Sequence, residues 1–252
     1  MVSLPDFDLN RRKNISDKKF INRSTKGVYE LGSVFKTFTL AAGLQKNVIK
    51  VDTLFENLPK KIKCAGRSIS EYDIDIPSSL TTEQILIRSG NIGSIKIAQK
   101  VGLENFKKFL DELDLLNKTE FDIEEVGSPI PFNWGKCKLA TSAYGHGITT
   151  TPLQLAKAYA IISNGGYKIT PTLIKKEIKL KKGEQIISEE NSRKINEILR
   201  KIVTTEQGTA NLANIPGYEI AGKTGTAQKS IKGKYSKKKI NTFASIFPIS
   251  AP

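Results

Sequence analysis

Three short motifs contain residue types that can support nucleophilic chemistry: SVFK at 33–36, SGN at 89–91 and KTGT at 223–226. A serine hydroxyl becomes a nucleophile when a nearby base accepts its proton, and a neutral lysine amine can be that base. A nucleophile, a polar turn and a strand edge that contains glycine are the parts that an acyl-transfer site needs. The candidate site residues are Ser33, Lys36, Ser89, Asn91, Lys223, Thr224, Gly225 and Thr226.

The setting of Ser33 separates its motif from two other Ser-x-x-Lys sequences, at 16–19 and 236–239. Those two lie in polar, lysine-rich stretches, which are typical of solvated surface. Residues 33–45 are apolar almost all round, which predicts a helix buried in the centre of the domain. On such a helix Ser33 and Lys36 share a face, and burial disfavours the charged amine, so that Lys36 can act as a base. The alternative is a lysine whose head reaches past the core to water.

The other two motifs each have a structural alternative. Residues 89–91 fall between helices predicted at 81–88 and 94–101, where Ser89 and Asn91 could simply cap the second helix. Residues 223–226 end an extended segment, so Lys223 could face solvent from an edge strand. Gly225 within that strand indicates a close approach of another backbone segment. The order and settings of the three motifs together favour the catalytic interpretation.

The remaining pattern predicts one α+β domain over residues 1–252, a helical body with strands near both ends of the chain. Apolar residues recur at helical spacing over 104–116, and a further helix is predicted over 189–203. Thr151 followed by Pro152 predicts the start of a helix that ends at residues 164–166, Asn-Gly-Gly. Segments 218–222 and 240–249 are predicted strands of a hairpin, whose loop carries Gly233 and many lysines.

The bulk composition, 38% hydrophobic and 26% charged, is that of a globular protein. No apolar run approaches the roughly 18 residues that a membrane-spanning helix needs. A net charge of +15 would fit nucleic-acid binding. Because much of this charge is scattered, we expect no nucleic-acid partner and favour attraction to acidic wall polymer or anionic lipid headgroups.

Two cysteines and one histidine offer few ligands for a metal. Cys64 and Cys137 lie far apart, with no CxxC and no histidine-rich neighbourhood, which argues against a zinc site. They are either two buried thiols or one disulfide, and the sequence does not choose between them. His146 could pair with a serine as a base, but a structural role in its Gly-His-Gly loop is the favoured interpretation.

Longer blocks around the motifs resemble the transpeptidase domain of class B penicillin-binding proteins, closest to the division-specific (septal) type. S-x-x-K, S-D-N and K-T-G are the signature of penicillin-binding proteins and class A β-lactamases. The middle residue of the second motif varies in the wider family, and Gly90 suits class B and argues against a class A β-lactamase. The matching blocks are SLPDFDLN, NRSTKGVYELGSVFK, IRSGNIGS, YGHGITTTPLQLAKAYAIISNGG and GYEIAGKTGTAQK.

The resemblance implies a penicillin-binding fold and an acyl transfer in two steps, without a metal or another cofactor. Ser33 would attack the D-Ala–D-Ala carbonyl of a stem peptide, with Lys36 as its general base, and release the terminal D-alanine. An amine of a neighbouring stem would then take the acyl group and form the cross-link. β-Lactams would acylate Ser33 as substrate mimics.

The resemblance also implies roles for the other candidate residues. Ser89 and Asn91 would relay protons and hold the substrate amide, and Lys223 would support the hydroxyl network. Thr224 and Thr226, with Gly225 between them, would bind the terminal carboxylate. The backbone N–H groups of Ser33 and Thr226 would form the oxyanion hole.

Location and partners follow from the same resemblance. Peptidoglycan stem peptides and β-lactams are the expected ligands, and other membrane proteins of wall synthesis and division are the expected partners. The catalytic domain is expected on the periplasmic, or outer, side of a bacterial inner (cytoplasmic) membrane, held by an anchor that lies outside this sequence.

The family also carries a membrane helix and a pedestal domain, so we expect the sequence to be truncated at both ends. Residues 1–3 resemble the tail of a strand, and residue 252 precedes the family's last strand and C-terminal helix. We therefore expect the hairpin over 218–249 to present an unpaired edge. Residues 1–252 are expected to be poorly stable, and at risk of inactivity, by themselves. A cooperative thermal transition together with acylation by penicillin would contradict this expectation.

Three other interpretations rank behind the transpeptidase. A β-lactam-hydrolysing or β-lactam-sensing relative shares the acylation half-reaction, but nothing here resembles the glutamate-bearing deacylation loop of class A enzymes. A non-catalytic division scaffold or wall-binding module would not need all three motifs intact. A basic nucleic-acid binder would be recognised by salt-dependent retention on DNA.

Overall fold

The computed structural model describes residues 2–6, 8, 10–11, 16–131, 133–175, 182–231 and 234–252. Helices and small antiparallel sheets combine in an α+β architecture, as the sequence predicts. In these ranges the helices are α1 Lys36–Gln45, α2 Thr82–Ile87, α3 Asn91–Val101, α4 Leu103–Glu112, α5 Lys138–Ser142, α6 Pro152–Ser163 and α7 Glu189–Thr204. The strands are β1 Leu54–Phe55, β2 Lys61–Cys64, β3 Arg67–Ser70, β4 Leu80–Thr81, β5 Ala221–Ile231 and β6 Lys234–Ile246.

Helix α1 lies at the centre of the core, which confirms the predicted buried helix. Every residue from Lys36 to Leu44 is buried, and helices α2, α3, α4 and α7 pack around it. The position of Ser33 differs from the prediction. The serine lies in a 3₁₀ turn, Gly32–Phe35, that leads into α1, and not in the α-helix itself. The serine and Lys36 therefore occupy the entry to the helix.

A buried tyrosine of α6 holds this entry in place. The Tyr159 hydroxyl donates to the carbonyl oxygen of Val34 at 2.8 Å and lies 2.9 Å from the hydroxyl of Thr37. One turn later, Thr39 donates to the carbonyl of Ala143 at 2.8 Å. These bonds satisfy polar groups that would otherwise be buried without partners, and they fix α1 relative to α6 through Tyr159 and relative to the end of α5 through Ala143.

The helices of the middle segment agree with the prediction at α2 and disagree at α3. Thr81 begins α2 with a capping box that pairs it with Gln84. Helix α3 begins at Asn91, three residues before the predicted start, and its N-cap is Gly90. Glycine has no side chain to cap a helix, so the local sequence carried no start signal at that point.

The later helices follow their predicted boundaries with one exception. Helix α6 starts with a capping box at Thr151 followed by Pro152, and its C-terminal glycines have positive φ. Helix α7 spans Glu189–Thr204, as predicted. Helix α4 ends at Glu112 rather than at 116, because the chain turns where Asp114 adopts a left-handed φ of 56°. The apolar spacing that predicted a longer helix continues beyond Glu112, since Leu113 and Leu115 are buried although they lie outside α4.

Strands β5 and β6 form the predicted antiparallel hairpin, with a register that runs from Ala221↔Ile246 to Ile231↔Lys234. Residues 218–220 are not part of the strand, and most of the lysine-rich stretch predicted as a loop is strand. The lysines at 237–239 are exposed, and lysines are common on strands at the edge of a sheet. The turn that carries Gly233 lies outside the described residues. Within the described residues this sheet has two strands.

The expectation of strands near the start of the chain is wrong, because residues 2–6 form none. Two small sheets lie instead between α1 and α3, and the sequence interpretation missed both: β1 pairs with β4, and β2 pairs with β3. Ile69 of the β2–β3 hairpin packs with Ile95 of α3 and with residues of α5. A disulfide joins Cys64 at the end of β2 to Cys137, which precedes α5, with 5.7 Å between the Cα atoms.

No helix among the described residues has the length and apolar character needed to cross a membrane.

Candidate active site

The 3₁₀ turn that carries Ser33 is pressed against strand β5 through glycines. A Cβ atom on Gly225 would overlap the carbonyl oxygen of Leu31 and lie 3.1 Å from a methyl group of Val34. A Cβ atom on Gly32, whose φ is +66°, would overlap the carbonyl oxygen of Thr226. Ser33 itself is half-buried between these contacts. The close approach that Gly225 predicted is therefore present, and it brings the serine beside the KTGT strand.

A third glycine extends the same contact to the loop before α6. The carbonyl oxygen of Gly32 would overlap a Cβ atom on Gly145, whose φ is +80°. The turn, the strand and the loop thus meet with backbone against backbone. A side chain at any of these glycines would force the segments apart.

Two buried lysines converge on one serine. Lys36 is 1% exposed and Lys223 is 0% exposed. The Nζ atom of Lys36 donates to the hydroxyl of Ser89 at 3.1 Å and to the carbonyl oxygen of the same residue. The Nζ atom of Lys223 lies 2.9 Å from the same hydroxyl. Each of the three sequence motifs therefore contributes a side chain to one cluster around the Ser89 hydroxyl.

The burial of these amines changes their ionisation. Burial lowers the pKa of Lys36 to about 7, and the negative charge of Glu71 opposes part of that shift. Burial, with a further contribution from the charge of Lys36, holds the pKa of Lys223 well below its usual range. An amine that gives up its proton near neutral pH can accept one from a hydroxyl.

Ser89 has an unusual backbone for a serine, with a φ of 58°. It follows the C-cap of α2, and its N–H bonds to the carbonyl of Leu86 at 3.1 Å, while the next N–H bonds to that of Ile85 at 2.9 Å. This is the Schellman arrangement, in which the left-handed position is usually glycine. A serine there carries strain, and its side chain is the one that both lysines contact.

Asn91 is held by the segment that ends strand β3. Its side-chain amide donates to the carbonyl of Ser70 at 2.8 Å. The carboxylate of Glu71 accepts the backbone N–H of Asn91 at 2.6 Å and that of Ile92 at 2.8 Å. Asn91 is therefore the first residue of α3 rather than a turn residue, and its position depends on β3.

Thr224 and Thr226 have different surroundings although they lie on the same face of β5. Thr224 is half-buried, and its hydroxyl lies 2.8 Å from that of Thr209. Thr209 also lies 3.4 Å from the Nζ atom of Lys223. Thr226 is exposed, and its hydroxyl lies 3.3 Å from the side-chain oxygen of Asn241 on β6. Of the two hydroxyls, that of Thr224 is linked to Lys223 through Thr209, whereas that of Thr226 contacts β6.

A family model described as "Penicillin binding protein transpeptidase domain" matches residues 1–252. The chain belongs to this family. Its similarity to the transpeptidase domain, which the sequence blocks indicated, is thereby confirmed.

Curated relatives of this penicillin-binding protein domain carry names from wall synthesis and sporulation. The chain is 31% identical to "Probable peptidoglycan D,D-transpeptidase FtsI" of Caulobacter vibrioides, over 100% of this chain and 44% of the relative. It is 32% identical to "Stage V sporulation protein D" of Bacillus subtilis, over 93% of this chain and 38% of the relative. The chain thus spans about two fifths of the length of these two relatives.

Solved structures confirm the α+β penicillin-binding fold. The transpeptidase domain of penicillin-binding protein 3 from Burkholderia pseudomallei superposes with a TM-score of 0.84 at 28% identity, covering 92% of this chain and 70% of that one. Penicillin-binding protein 3 from Mycobacterium tuberculosis gives a TM-score of 0.84 at 25% identity, covering 98% of this chain and 58% of that one. The latter protein was solved in complex with aztreonam, and another of its structures contains ampicillin.

His146 of this penicillin-binding protein domain has the contacts of a structural residue. Its ring stacks between those of Tyr144 and Tyr235, with centroids 5.9 and 4.9 Å away, and Nδ1 lies 3.6 Å from a carboxylate oxygen of Glu30. Burial lowers the pKa of His146, whereas the charge of Glu30 acts in the opposite direction. The histidine links the loop before α6 to strand β6.

Sequence reasoning missed two residues of the crevice, Glu71 and Thr209. Neither belongs to one of the three motifs, and each lies far along the chain from the residues it contacts. Glu71 carried no signal beyond its place after a short polar strand that was itself missed. Among the described residues, no group of three or more His, Cys, Asp or Glu side chains is arranged to hold a metal ion.

Proposed function

We propose that residues 1–252 form the catalytic domain of a peptidoglycan D,D-transpeptidase that cross-links stem peptides through an acyl-enzyme on Ser33. The observation that carries this proposal is the convergence of Lys36 and Lys223 on the Ser89 hydroxyl, beside the turn that holds Ser33. The names of the relatives and the β-lactam complexes of the M. tuberculosis neighbour support it.

In the acylation step, Lys36 takes the proton of the Ser33 hydroxyl, and the serine oxygen bonds to the carbonyl carbon of the penultimate D-alanine. The pKa of Lys36, about 7, leaves a large neutral fraction at physiological pH. Negative charge develops on the carbonyl oxygen, and the backbone N–H groups of Ser33 and Thr226 donate hydrogen bonds to this oxygen as an oxyanion hole. Removal of one such donor lowers the rate on the order of a hundredfold.

Collapse of this intermediate breaks the amide bond and releases the terminal D-alanine. Ser89 is suited to protonate the leaving amine, because hydrogen bonds from Lys36 and Lys223 occupy its lone pairs and leave its own proton to donate. Lys36 passes the proton taken from Ser33 to the Ser89 oxygen, so that Ser89 regains its hydroxyl and Lys36 is neutral again. Asn91 holds the substrate amide. An amine of a second stem then attacks the ester carbon, and its proton returns through the same lysine as the cross-link forms and the serine hydroxyl is restored.

The strand β5 supplies the binding edge for the substrate. Thr224 and Thr226 bind the terminal carboxylate, and Gly225 allows strand β5 and the serine turn to approach each other. Thr209 orients the Thr224 hydroxyl, since the two oxygens lie 2.8 Å apart. Lys223 supports this network through its hydrogen bonds to the hydroxyls of Thr209 and Ser89.

We place this domain on the outer side of a bacterial cytoplasmic membrane, in septal wall synthesis with other membrane proteins of division. The relatives named for FtsI support the septal role. The disulfide between Cys64 and Cys137 supports the location, because disulfides persist in oxidising compartments and are rare in the cytosol.

Labelled penicillin tests the proposal directly. We expect covalent attachment to the intact protein at Ser33, located by mass spectrometry of peptides, and no attachment to its Ser33→Ala variant. Ser236→Ala is the matched control, because it removes the serine of another Ser-x-x-Lys sequence and is expected to label normally. Labelling that survives Ser33→Ala would reject the assignment. An adduct that persists for hours would exclude a β-lactam hydrolase, whereas rapid release would favour one.

A further inference from the structure

The N-terminus of helix α3 is capped by a carboxylate from another element. Its N-cap, Gly90, has no side chain, and the helix has eleven residues with no acidic residue in its first turn. The two oxygens of Glu71 accept the first two N–H groups of the helix, at 2.6 and 2.8 Å. A carboxylate at this position satisfies orphan donors and meets the positive end of the helix dipole.

This cap determines where the SGN motif lies. Ser70 and Glu71 together bind the side chain and the backbone of Asn91. Ser89 lies two residues before Asn91, in the turn that joins α2 to α3. A Cβ atom on Gly90 would lie 3.8 Å from a Glu71 oxygen, so the carboxylate packs directly against the middle of the motif.

The charge of Glu71 also acts on the buried amines. Lys36 is fully buried, and the negative charge of Glu71 favours its protonated form against the larger effect of burial. The charge of Lys36 in turn adds to the effect of burial in lowering the pKa of Lys223 on β5. The nearby Asp73 and Arg88 pair with each other, with 2.5 Å between their charged atoms, and so largely neutralise one another.

We propose that Glu71 is a positioning residue for the acylation of Ser33: its carboxylate fixes the first turn of α3 with Asn91, and its negative charge stabilises Lys36 after the lysine has taken the serine proton. The second role matters because proton transfer creates an ammonium ion in a crevice from which burial excludes water. This inference rests on the proposed function, in which Lys36 is the base.

Glu71→Gln separates the charge from the shape of the side chain. Gln has one acceptor oxygen where the carboxylate uses two, so the first turn of α3 with Asn91 is expected to shift. We expect the plateau rate of penicillin acylation to fall about tenfold or more, because a misplacement of about 1 Å at a reacting group lowers rates by up to a hundredfold. The acidic limb of the pH–rate profile should move to lower pH. The sign follows because removal of a negative charge destabilises the ammonium form and lowers the pKa of Lys36.

Two further variants control for charge and for folding. Glu125→Gln removes a half-buried carboxylate that also accepts a backbone N–H, that of Asn22 at 3.1 Å, and is expected to leave the plateau and the acidic limb unchanged. Glu71→Asp keeps the charge but shortens the side chain, so we expect a lower plateau with an acidic limb near that of the parent protein. Cooperative thermal unfolding would establish that each variant folds.

A readout that does not need acylation distinguishes failure of this inference from failure of the proposed function. NMR of protein labelled with ¹³C at the lysine Cε atoms follows the titration of Lys36, identified by its loss in Lys36→Arg. We expect that titration at lower pH in Glu71→Gln than in the parent or in Glu125→Gln. If folded Glu71→Gln has the same Lys36 titration and the same acidic limb as the parent protein, the inference is wrong, regardless of the plateau rate of acylation. If the titration moves in a protein that takes up no penicillin, the proposed function fails while the effect of the charge on Lys36 stands.

Discussion

At the scale of single residues, Ser89 combines its proposed role in proton transfer with an unfavourable backbone conformation. Its φ of 58° places it where a helix C-terminus usually has glycine, yet glycine would have no hydroxyl for Lys36 and Lys223. Strained backbone at a functional site persists when the surrounding structure holds it in place. Here the bonds that close α2 and the cap that begins α3 supply this support.

The strain predicts a difference between two substitutions that both remove the hydroxyl. We expect Ser89→Gly to be more stable than Ser89→Ala by about 1 kcal/mol, because only glycine adopts left-handed φ without a steric penalty. Both variants are expected to be acylated slowly by labelled penicillin. Denaturant unfolding of the pair measures the difference, and equal stability would show that position 89 is not strained.

The sequence predicted the site residues in the three motifs but could not predict their partners. Ser33 and Lys36 were singled out because they begin an apolar helix, a setting that the other two Ser-x-x-Lys sequences lack. Glu71 and Thr209 act across 20 and 15 positions in sequence, on Asn91 and Thr224. No short-range pattern encodes such contacts, because they depend on where the β3 segment and the loop after α7 fold back.

At the scale of elements, the contact between β5 and the Ser33 turn depends on the absence of side chains. Gly225 faces the carbonyl of Leu31 and the side chain of Val34, and Gly32 faces the backbone of Thr226. The motif glycine is thus explained by packing of the strand against the turn. Elements with local signals, such as α6 with Thr151 and Pro152, could be predicted. The start of helix α3 could not, because its cap comes from another part of the chain.

We predict that Gly225→Ala separates the strand from the turn. Overpacking of this kind destabilises by about 1–3 kcal/mol, and the shift of the KTGT strand should slow acylation by about tenfold or more. Gly135→Ala is the matched control, since the nearest atom to its new Cβ would be 3.8 Å away, and we expect it to change stability by less than about 0.5 kcal/mol. Measurements of melting temperature and of penicillin labelling rate on both variants test this prediction. Normal labelling by Gly225→Ala would contradict the prediction.

At the scale of the whole molecule, burial of a lysine opposes folding. The pKa of Lys36 is about 7 in the folded protein and that of an exposed lysine is 10.5, so the unfolded chain binds more protons between these values. The contribution of this group to stability is therefore least favourable at and below about pH 7, and the penalty disappears as pH rises towards 10.5.

This linkage predicts that Lys36→Met stabilises the protein while abolishing acylation. The gain should be on the order of a few kcal/mol near pH 7 and should shrink as pH rises towards 10, because one pKa unit corresponds to about 1.4 kcal/mol. Lys157→Met is not a suitable control, since Lys157 forms an ion pair with Asp114. Exposed Lys46→Met is suitable, and it should show little change. Urea unfolding at several pH values tests this, and a stability gain that does not depend on pH would contradict it.

The shared hydroxyl of Ser89 has a consequence for the crevice as a unit. Two amines that donate to one oxygen repel each other when both carry a proton, so each proton bound by one makes the next harder to bind. The pair then behaves as a single diprotic acid, with macroscopic dissociation steps that belong to neither lysine alone. Nucleophile activation and leaving-group protonation would thereby draw on one common proton reservoir.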